Sequence, residues 1–199
     1  MTIPAIINGA DDSIPLIIDH ATAALTNARS AAEVLEARDL ASFAYDAAKR
    51  AARLAKAKGA HDELIAAAHR AQADALTIEA LAKRRLADEY DVAQERGDVQ
   101  AHGRPKNLPD GKVFSPVTAA DLGLSHKEVH EARVIRDAEK ADPGIVRRTL
   151  EEKLARGEEP TRAALRKMVV DAAMRGLRPE RKASRRNPLY VPPTPQQAA

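Results

Sequence analysis

Apolar residues recur at every third or fourth position along most of the chain, which is the spacing of one face of an α-helix. Two segments show this pattern over a long distance. The first begins at Ser30, which forms a capping box with Glu33, and stops before Gly59, while the second runs from about Asp62 to Arg96. The predicted buried stripes are Ala37, Leu40, Phe43, Ala47, Ala51, Leu54 and Ala57 in the first helix, and Leu64, Ala68, Ala71, Ala75, Ile78 and Leu81 in the second.

A short connection between these helices predicts an antiparallel hairpin within residues 21–97. One hairpin of this length cannot bury all of its apolar positions by itself. A second copy of the hairpin is the simplest cover, so the sequence predicts a homodimer through residues 30–96. The alternative is that the C-terminal helices of the same chain cover the hairpin.

The segment 118–133 has the pattern of a helix-turn-helix. Ala119 is small enough for two helices to cross closely, Gly123 suits the turn, and Ser125 with Glu128 forms a second capping box. The first short helix is predicted to begin at 115–116, and the second helix covers 125–136. Val129 and Ala132 are predicted to face inward, and His126, Lys127, His130 and Arg133 outward. An ordinary corner between two helices is the alternative.

These patterns together predict an all-α fold in which the hairpin is followed by a small helix-turn-helix bundle. A break at 142–144 separates the second helix of the motif from two further amphipathic helices, which we expect to pack behind it. The predicted organisation is a flexible arm at 1–20, the hairpin at 21–97, a basic linker at 98–114, a helix-turn-helix DNA-binding domain at 115–177, and a disordered basic and proline-rich tail at 178–199.

Composition argues against an enzyme. Only 3% of residues are aromatic, and tryptophan and cysteine are absent. There is no glycine-rich phosphate loop and no nucleophile elbow. His126 and His130 are four residues apart but have no third metal ligand nearby, so we expect neither a metal nor another cofactor. No apolar run approaches the length of a membrane span and no signal peptide is recognisable, which fits a cytoplasmic protein.

Charge is divided unevenly along the chain. Residues 1–100 contain 12 basic and 16 acidic residues, whereas residues 101–199 contain 20 and 13. The helix-turn-helix pattern therefore lies in a half with a net charge of +7, next to a half with −4. A basic half of this kind is expected where a protein meets nucleic acid.

Residues 115–170 resemble the central DNA-binding region of the ParB/KorB partition and repressor family. The resemblance consists of the Thr-Ala-Ala-Asp-Leu-Gly-Leu-Ser-His-Lys-Glu-Val turn from Thr118, the break at Asp142-Pro143, and a glycine-led helix from Gly157. The family's N-terminal nucleotide-binding motifs are missing, so a CTP-dependent clamp is not implied. Residues 25–140 are also similar to small DNA-binding proteins of prophages and plasmids, which implies a role in a mobile element.

The sequence thus predicts a sequence-specific DNA-binding protein, acting as a transcriptional regulator or as an origin- or centromere-binding accessory factor. The predicted base contacts are His126, Lys127 and His130; the predicted phosphate and arm contacts are Thr118, Ser125, Arg133, Arg136, Arg104 and Lys106. Arg104 belongs to a Gly-Arg-Pro sequence that resembles an AT-hook, although a plain basic linker is the alternative. Residues 187–195 could dock a protein partner or serve only as a passive tail.

Two other functions are compatible with the sequence. One is a structural or adaptor protein whose hairpin binds a protein partner, with only non-specific nucleic-acid contacts. The other is RNA binding, which the lack of aromatic stacking residues disfavours.

Overall fold

The computed structural model describes residues 13–100 and 117–177, and these ranges contain six α-helices and no β-strand. The predicted all-α class is confirmed. None of the helices in the described ranges is both long and apolar enough to cross a lipid bilayer. The helices are α1 (Ser13–Asn27), α2 (Ala31–Ala57), α3 (Asp62–Arg96), α4 (His126–Ala141), α5 (Ile145–Ala155) and α6 (Arg162–Leu177).

The ends of the two longest helices follow local signals in the sequence. The Ser30 hydroxyl accepts a hydrogen bond from the Glu33 amide at 3.3 Å and caps α2, as predicted. Gly97 ends α3 with a φ of 80°, a conformation that costs glycine nothing. As a result α2 and α3 have 27 and 35 residues, the lengths expected from the sequence.

The buried face of α2 differs from the predicted stripe. Phe43 is 58% exposed and Leu54 is 55% exposed, and on α3 Leu64 and Leu81 are also exposed. Small side chains make the seam instead, because they let the axes of α2 and α3 approach closely. The buried residues of α2 are Val34, Ala37, Ala41, Ala44, Tyr45, Ala48 and Ala52.

The hairpin is covered by helices of its own chain. Leu76 of α3 belongs to the same buried cluster as Ile135 of α4, Val146 of α5 and Val169 of α6. The predicted hairpin and helix-turn-helix segments therefore both contribute residues to this core. The cover of the hairpin is partial, because Phe43, Leu54, Leu64 and Leu81 remain exposed, and the homodimer through residues 30–96 stays a prediction.

The predicted flexible arm also needs correction. Residues 13–20 are helical in α1, where Ile14 is buried and Ile17 and Ile18 pack against the core of the hairpin. Pro15 is accommodated because it lies in the first turn of the helix, where a backbone amide has no intrahelical acceptor. The rest of the predicted arm, residues 1–12, lies outside the described residues.

Residues 98 and 100, at the start of the predicted linker 98–114, pair with Val117. The Gln100 amide donates to the Val117 carbonyl oxygen at 2.9 Å, and the Val117 amide donates to the Asp98 carbonyl oxygen at 3.1 Å. These bonds hold the start of the helix-turn-helix segment against the end of α3. Arg104, Lys106 and the tail at 178–199, including its docking peptide at 187–195, lie outside the described residues.

A buried carboxylate joins the hairpin to the C-terminal helices. The side chain of Glu79 in α3 is only 8% exposed and accepts hydrogen bonds from Lys83 Nζ at 2.7 Å and from Arg162 Nε of α6 at 3.0 Å. Lys83 also bonds to Glu131 of α4 at 2.7 Å. Arg162 stacks on the Tyr45 ring of α2, with 4.1 Å between its guanidinium carbon and the ring centroid. Four helices therefore share one polar network.

We expect the Val169→Ala substitution to lower the free energy of unfolding by about 2 kcal/mol, because two buried methyl groups are lost and a cavity remains. Val170, the next residue, is 38% exposed, whereas Val169 is 0% exposed. Val170→Ala is the matched control and should change stability by about 0.5 kcal/mol at most. Urea denaturation followed by circular dichroism measures both.

Hydrogen exchange tests whether the core is shared. Since α6 packs in the same cluster as α3, the Val169→Ala protein should lose protection in the amides of α3 as well as in α6. Unchanged protection in α3 would mean that the hairpin unfolds independently.

Candidate nucleic-acid interface

The segment before α4 forms a single turn. Within residues 117–124, the Gly123 amide donates to Ala120 and the Leu124 amide donates to Ala119, both at 2.9 Å, and no helix is present there. The expected first helix of a helix-turn-helix is therefore not formed by the described residues, and its predicted start at 115–116 lies outside them. The second helix of the motif is present as α4.

Apolar contacts fix this turn on the hairpin. Ala119 and Leu124 are each 4% exposed and belong to one buried cluster with Val129 of α4. The same cluster contains Val34 of α2 and Tyr90 of α3. The start of α4 is thus positioned by the open end of the hairpin, where α2 begins and α3 ends.

A complete capping box begins α4. The Ser125 hydroxyl accepts from the Glu128 amide at 3.2 Å, and Glu128 Oε2 accepts from the Ser125 amide at 2.9 Å. The hydrogen bonds that the Ser125 amide and hydroxyl donate to Glu128 Oε2 hold the pKa of the Glu128 carboxyl below its usual range, with a smaller contribution from Arg38 and Lys83. Arg38 of α2 reaches Glu128 at 3.3 Å, which ties the capped end to the hairpin.

The three predicted base contacts lie together on the exposed side of this end of α4. His126, Lys127 and His130 are all exposed, while Val129 and Ala132 are buried as predicted. His126 and Lys127 also lie in the first turn of the helix, where the backbone amides carry partial positive charge. One imidazole, one ammonium group and a second imidazole are therefore exposed on one edge of the molecule.

Two predicted phosphate contacts serve a different purpose. Arg133 Nε donates to Asp91 Oδ1 of α3 at 2.8 Å and the Arg133 guanidinium also bonds to Gln94. Arg136 is bonded to Asp91 and Asp137, and its side chain is only 12% exposed. Both arginines hold α4 on α3, so they leave the set of candidate phosphate contacts.

The two predicted hydroxyl contacts are also engaged within the protein. Thr118 Oγ1 donates to Asp121 Oδ2 at 2.7 Å and accepts from the Asp121 amide at 3.2 Å. Ser125 Oγ donates to Glu128 Oε2 at 2.8 Å. These groups shape the turn and the cap, and the structure offers no free hydroxyl at Thr118 or Ser125 for a phosphate.

Asp91 accepts hydrogen bonds from both Arg133 and Arg136. Burial works to raise the pKa of Asp91, but hydrogen bonds from Arg136 and Arg133 outweigh it and hold the pKa below the usual range. The ionised carboxylate is therefore the form that the folded protein favours. Among the described residues, no group of three or more metal-type ligands is arranged around a common centre.

Sequence reasoning missed a run of cations on α2. Residues 49–58 contain five basic residues and no acidic residue, a pattern visible in the sequence, although the negative net charge of the N-terminal half hides it. None of the five forms an ion pair with any residue that the structure describes, and Lys49 instead lies 5.6 Å from the centre of the Tyr45 ring. The five are Lys49, Arg50, Arg53, Lys56 and Lys58.

Comparison with known proteins gives no relative for this arrangement. No family model, curated protein or solved structure matches the chain. The helix-turn-helix interpretation therefore depends on the residues and their geometry.

Gly123 should resist substitution because of its backbone rather than for lack of space. Its φ is 70°, and no atom lies within 4 Å of the position that a Cβ atom would take. We expect Gly123→Ala to cost about 1 kcal/mol and Gly123→Asn clearly less, since asparagine tolerates the left-handed region. Equal losses in urea denaturation would show that backbone conformation is not the cause.

Asp91→Asn should lower the free energy of unfolding at neutral pH by about 1 kcal/mol, because two arginines lose their charged acceptor. A depressed pKa stabilises the fold above the unfolded-state value near 3.9, and that contribution is lost as the pH falls through the folded-state pKa. The variant should therefore lose less stability than the wild type between about pH 5 and pH 3.

The control for this experiment is Asp39→Asn, which also removes a carboxylate that pairs with an arginine. Asp39 is 67% exposed and bonds only to its neighbour Arg38, so its removal should change stability by about 0.5 kcal/mol or less. Similar acid sensitivity in the wild type and the Asp91→Asn protein would contradict the role given to Asp91.

Proposed function

We propose that the protein binds double-stranded DNA and reads sequence by placing the first turns of α4 in the major groove. One observation carries the proposal. The start of α4 is capped and held firmly on the hairpin, yet its outer side presents His126, Lys127 and His130 to solvent. Side chains on a rigid element are suited to reading base edges, because binding then orders little that is not already ordered.

The chemistry of these residues fits base edges. Lysine donates to the O6 and N7 acceptors of guanine, and neutral histidine both donates and accepts at its ring nitrogens. The proposed set of base contacts is thus the same as the sequence predicted. Of the predicted phosphate and arm contacts, Arg104 and Lys106 stay in the proposal, whereas Arg133 and Arg136 are engaged with Asp91.

A regulator or an origin- or centromere-binding factor of a mobile element remains the proposed biological role, by the resemblance of residues 115–170 and 25–140 described above. The adaptor hypothesis stays the alternative. The hairpin packs against α1, α4, α5 and α6, and the apolar side chains that it leaves exposed for a protein partner include Phe43, Leu54, Leu64 and Leu81. The first step is to recover the target by selecting bound fragments from random and genomic DNA.

Lys127→Ala should weaken binding to the selected DNA by about 10- to 100-fold, while binding to unrelated DNA should fall by no more than about 3-fold. The expected difference arises because a base contact contributes to specificity and a phosphate contact does not. Fluorescence anisotropy at fixed salt measures both affinities.

Lys140→Ala is the matched control. Lys140 lies in the last turn of the same helix, is 65% exposed, and is 3.6 Å from Asp88 of α3. It should leave the ratio of specific to unrelated binding unchanged. A wild-type protein with no preference among sequences, or equal losses on both DNAs in Lys127→Ala, would refute major-groove reading by α4.

A further inference from the structure

The basic run on α2 is divided between two sides of the helix. At 3.6 residues per turn, Lys49, Arg53 and Lys56 fall within about 60° of one another, while Arg50 and Lys58 fall on other sides. Lys49, Arg53 and Lys56 are called the basic stripe here. Arg53 and Lys56 are exposed and Lys49 is partly exposed, packed beside Tyr45.

The basic stripe continues the face of α2 that meets the C-terminal helices. Arg38 contacts Glu128 of α4, and Asp46 contacts Arg162 of α6 at 3.2 Å. Ser42 also bonds to Arg162, with 2.8 Å between the hydroxyl and the guanidinium. These positions share the angular sector of the stripe around the α2 axis, to within about one residue's rotation. The stripe therefore lies further along the side of α2 that contacts α4 and α6.

Distances along α2 place the stripe at a useful separation from the start of α4. From Arg38, which contacts the cap of α4, the helix rises about 16 Å to Lys49 and about 27 Å to Lys56 at 1.5 Å per residue. A B-DNA strand rises about 3.4 Å per nucleotide, so this interval spans roughly five to eight nucleotides. Phosphates within one helical turn of a groove occupied by α4 would therefore lie at the distance of the stripe.

The electrostatics favour an external anion. Most cations of the C-terminal helices are engaged in ion pairs with acids, including Arg133, Arg147 and Arg162. The stripe has no such pair with any described residue, and the acids that flank the run are Asp46 and Asp62. Asp46 is paired with Arg162, and Asp62 lies in the first turn of α3, where a carboxylate stabilises the helix dipole.

We propose that Lys49, Arg53 and Lys56 bind the phosphate backbone of the DNA whose major groove is occupied by α4. The inference rests on the proposed function. It adds phosphate contacts by the stripe to that function, because Arg133 and Arg136 do not make them. Binding through the stripe is independent of base sequence and releases counterions, so it sets the salt dependence of affinity. The hairpin thus positions the protein on the duplex, and α4 reads the bases.

A matched pair of double variants tests which face of α2 contacts the DNA. Arg53→Gln/Lys56→Gln removes two cations of the stripe, and Arg50→Gln/Lys58→Gln removes two cations of the same run that lie off the stripe. Both change the net charge equally, and all four side chains are exposed. Thermal denaturation of the variants checks that each remains folded.

For the stripe variant we expect the slope of log affinity against log salt to decrease in magnitude by about 2, with equal loss of affinity for selected and unrelated DNA. The off-stripe variant should change the slope by less than about 0.5. An unchanged slope in the stripe variant, or equal changes in the two variants, would overturn the inference and leave groove reading by α4 intact.

The same series separates this inference from the proposed function. A wild-type protein that binds no DNA would overturn both. A Lys127→Ala protein that keeps its specificity, with a stripe variant whose salt slope decreases as expected, would overturn base reading by α4 and leave only the phosphate contacts of the stripe in place. Vesicles containing anionic lipid provide the competing polyanion. A stripe variant that loses vesicle binding while its DNA affinity is unchanged would also overturn the inference.

Discussion

A buried carboxylate that must be paired determines how the two halves of this chain fit together. An unpaired charge at Glu79 would be strongly destabilising, and its partners come from two elements: Lys83 one turn along α3, and Arg162 at the start of α6. Lys83 in turn reaches Glu131 of α4. We infer that these directional bonds favour the faces of α4 and α6 that meet the hairpin. The apolar cluster around the network supplies most of the stability.

That geometry explains why one side of α4 packs against the protein while its first turns are exposed. One side of the helix packs through Val129, Ala132, Ile135 and Ala138, and its flank is held to α3 by Arg133 and Arg136. Only the first turns remain for an external ligand. Arg133 and Arg136 both bind Asp91, which restricts the angle between α4 and α3. Recognition by His126, Lys127 and His130 therefore depends on an orientation of α4 that contacts away from these three residues determine. Replacing Asp91 would then change recognition although Asp91 itself does not contact the DNA.

The sequence predicts the elements of this fold better than their assembly. Ser30, Gly97 and Ser125 act on backbone groups a few residues away, so the helix limits follow from local chemistry. Which face is buried depends on partners that are distant along the chain, and Phe43 and Leu54 are exposed because the alanine seam of α2 lies on nearly the opposite side of the helix. The same reason explains Arg133 and Arg136. Their spacing on α4 suggests an outer, DNA-facing surface, but Asp91 lies 42 and 45 residues earlier in the chain and the sequence gives no sign that it is near.

Ion pairing offers a physical way to separate cations that hold the fold from cations that can bind a ligand. Net charge does not make this distinction: the acidic N-terminal half contains the basic stripe, while many cations of the basic C-terminal half are neutralised within their own helices or against the hairpin. A cation in an ion pair must break that pair before it binds a phosphate, so the net gain in free energy is small. An unpaired, exposed cation loses only its condensed anions and water. Exposed cations without an ion pair to a described residue occur at the start of α4 and in the second half of α2, and the continuous face of α2 between Arg38 and Lys56 connects these two places. Arg166 and Lys167 of α6 are further cations of this kind.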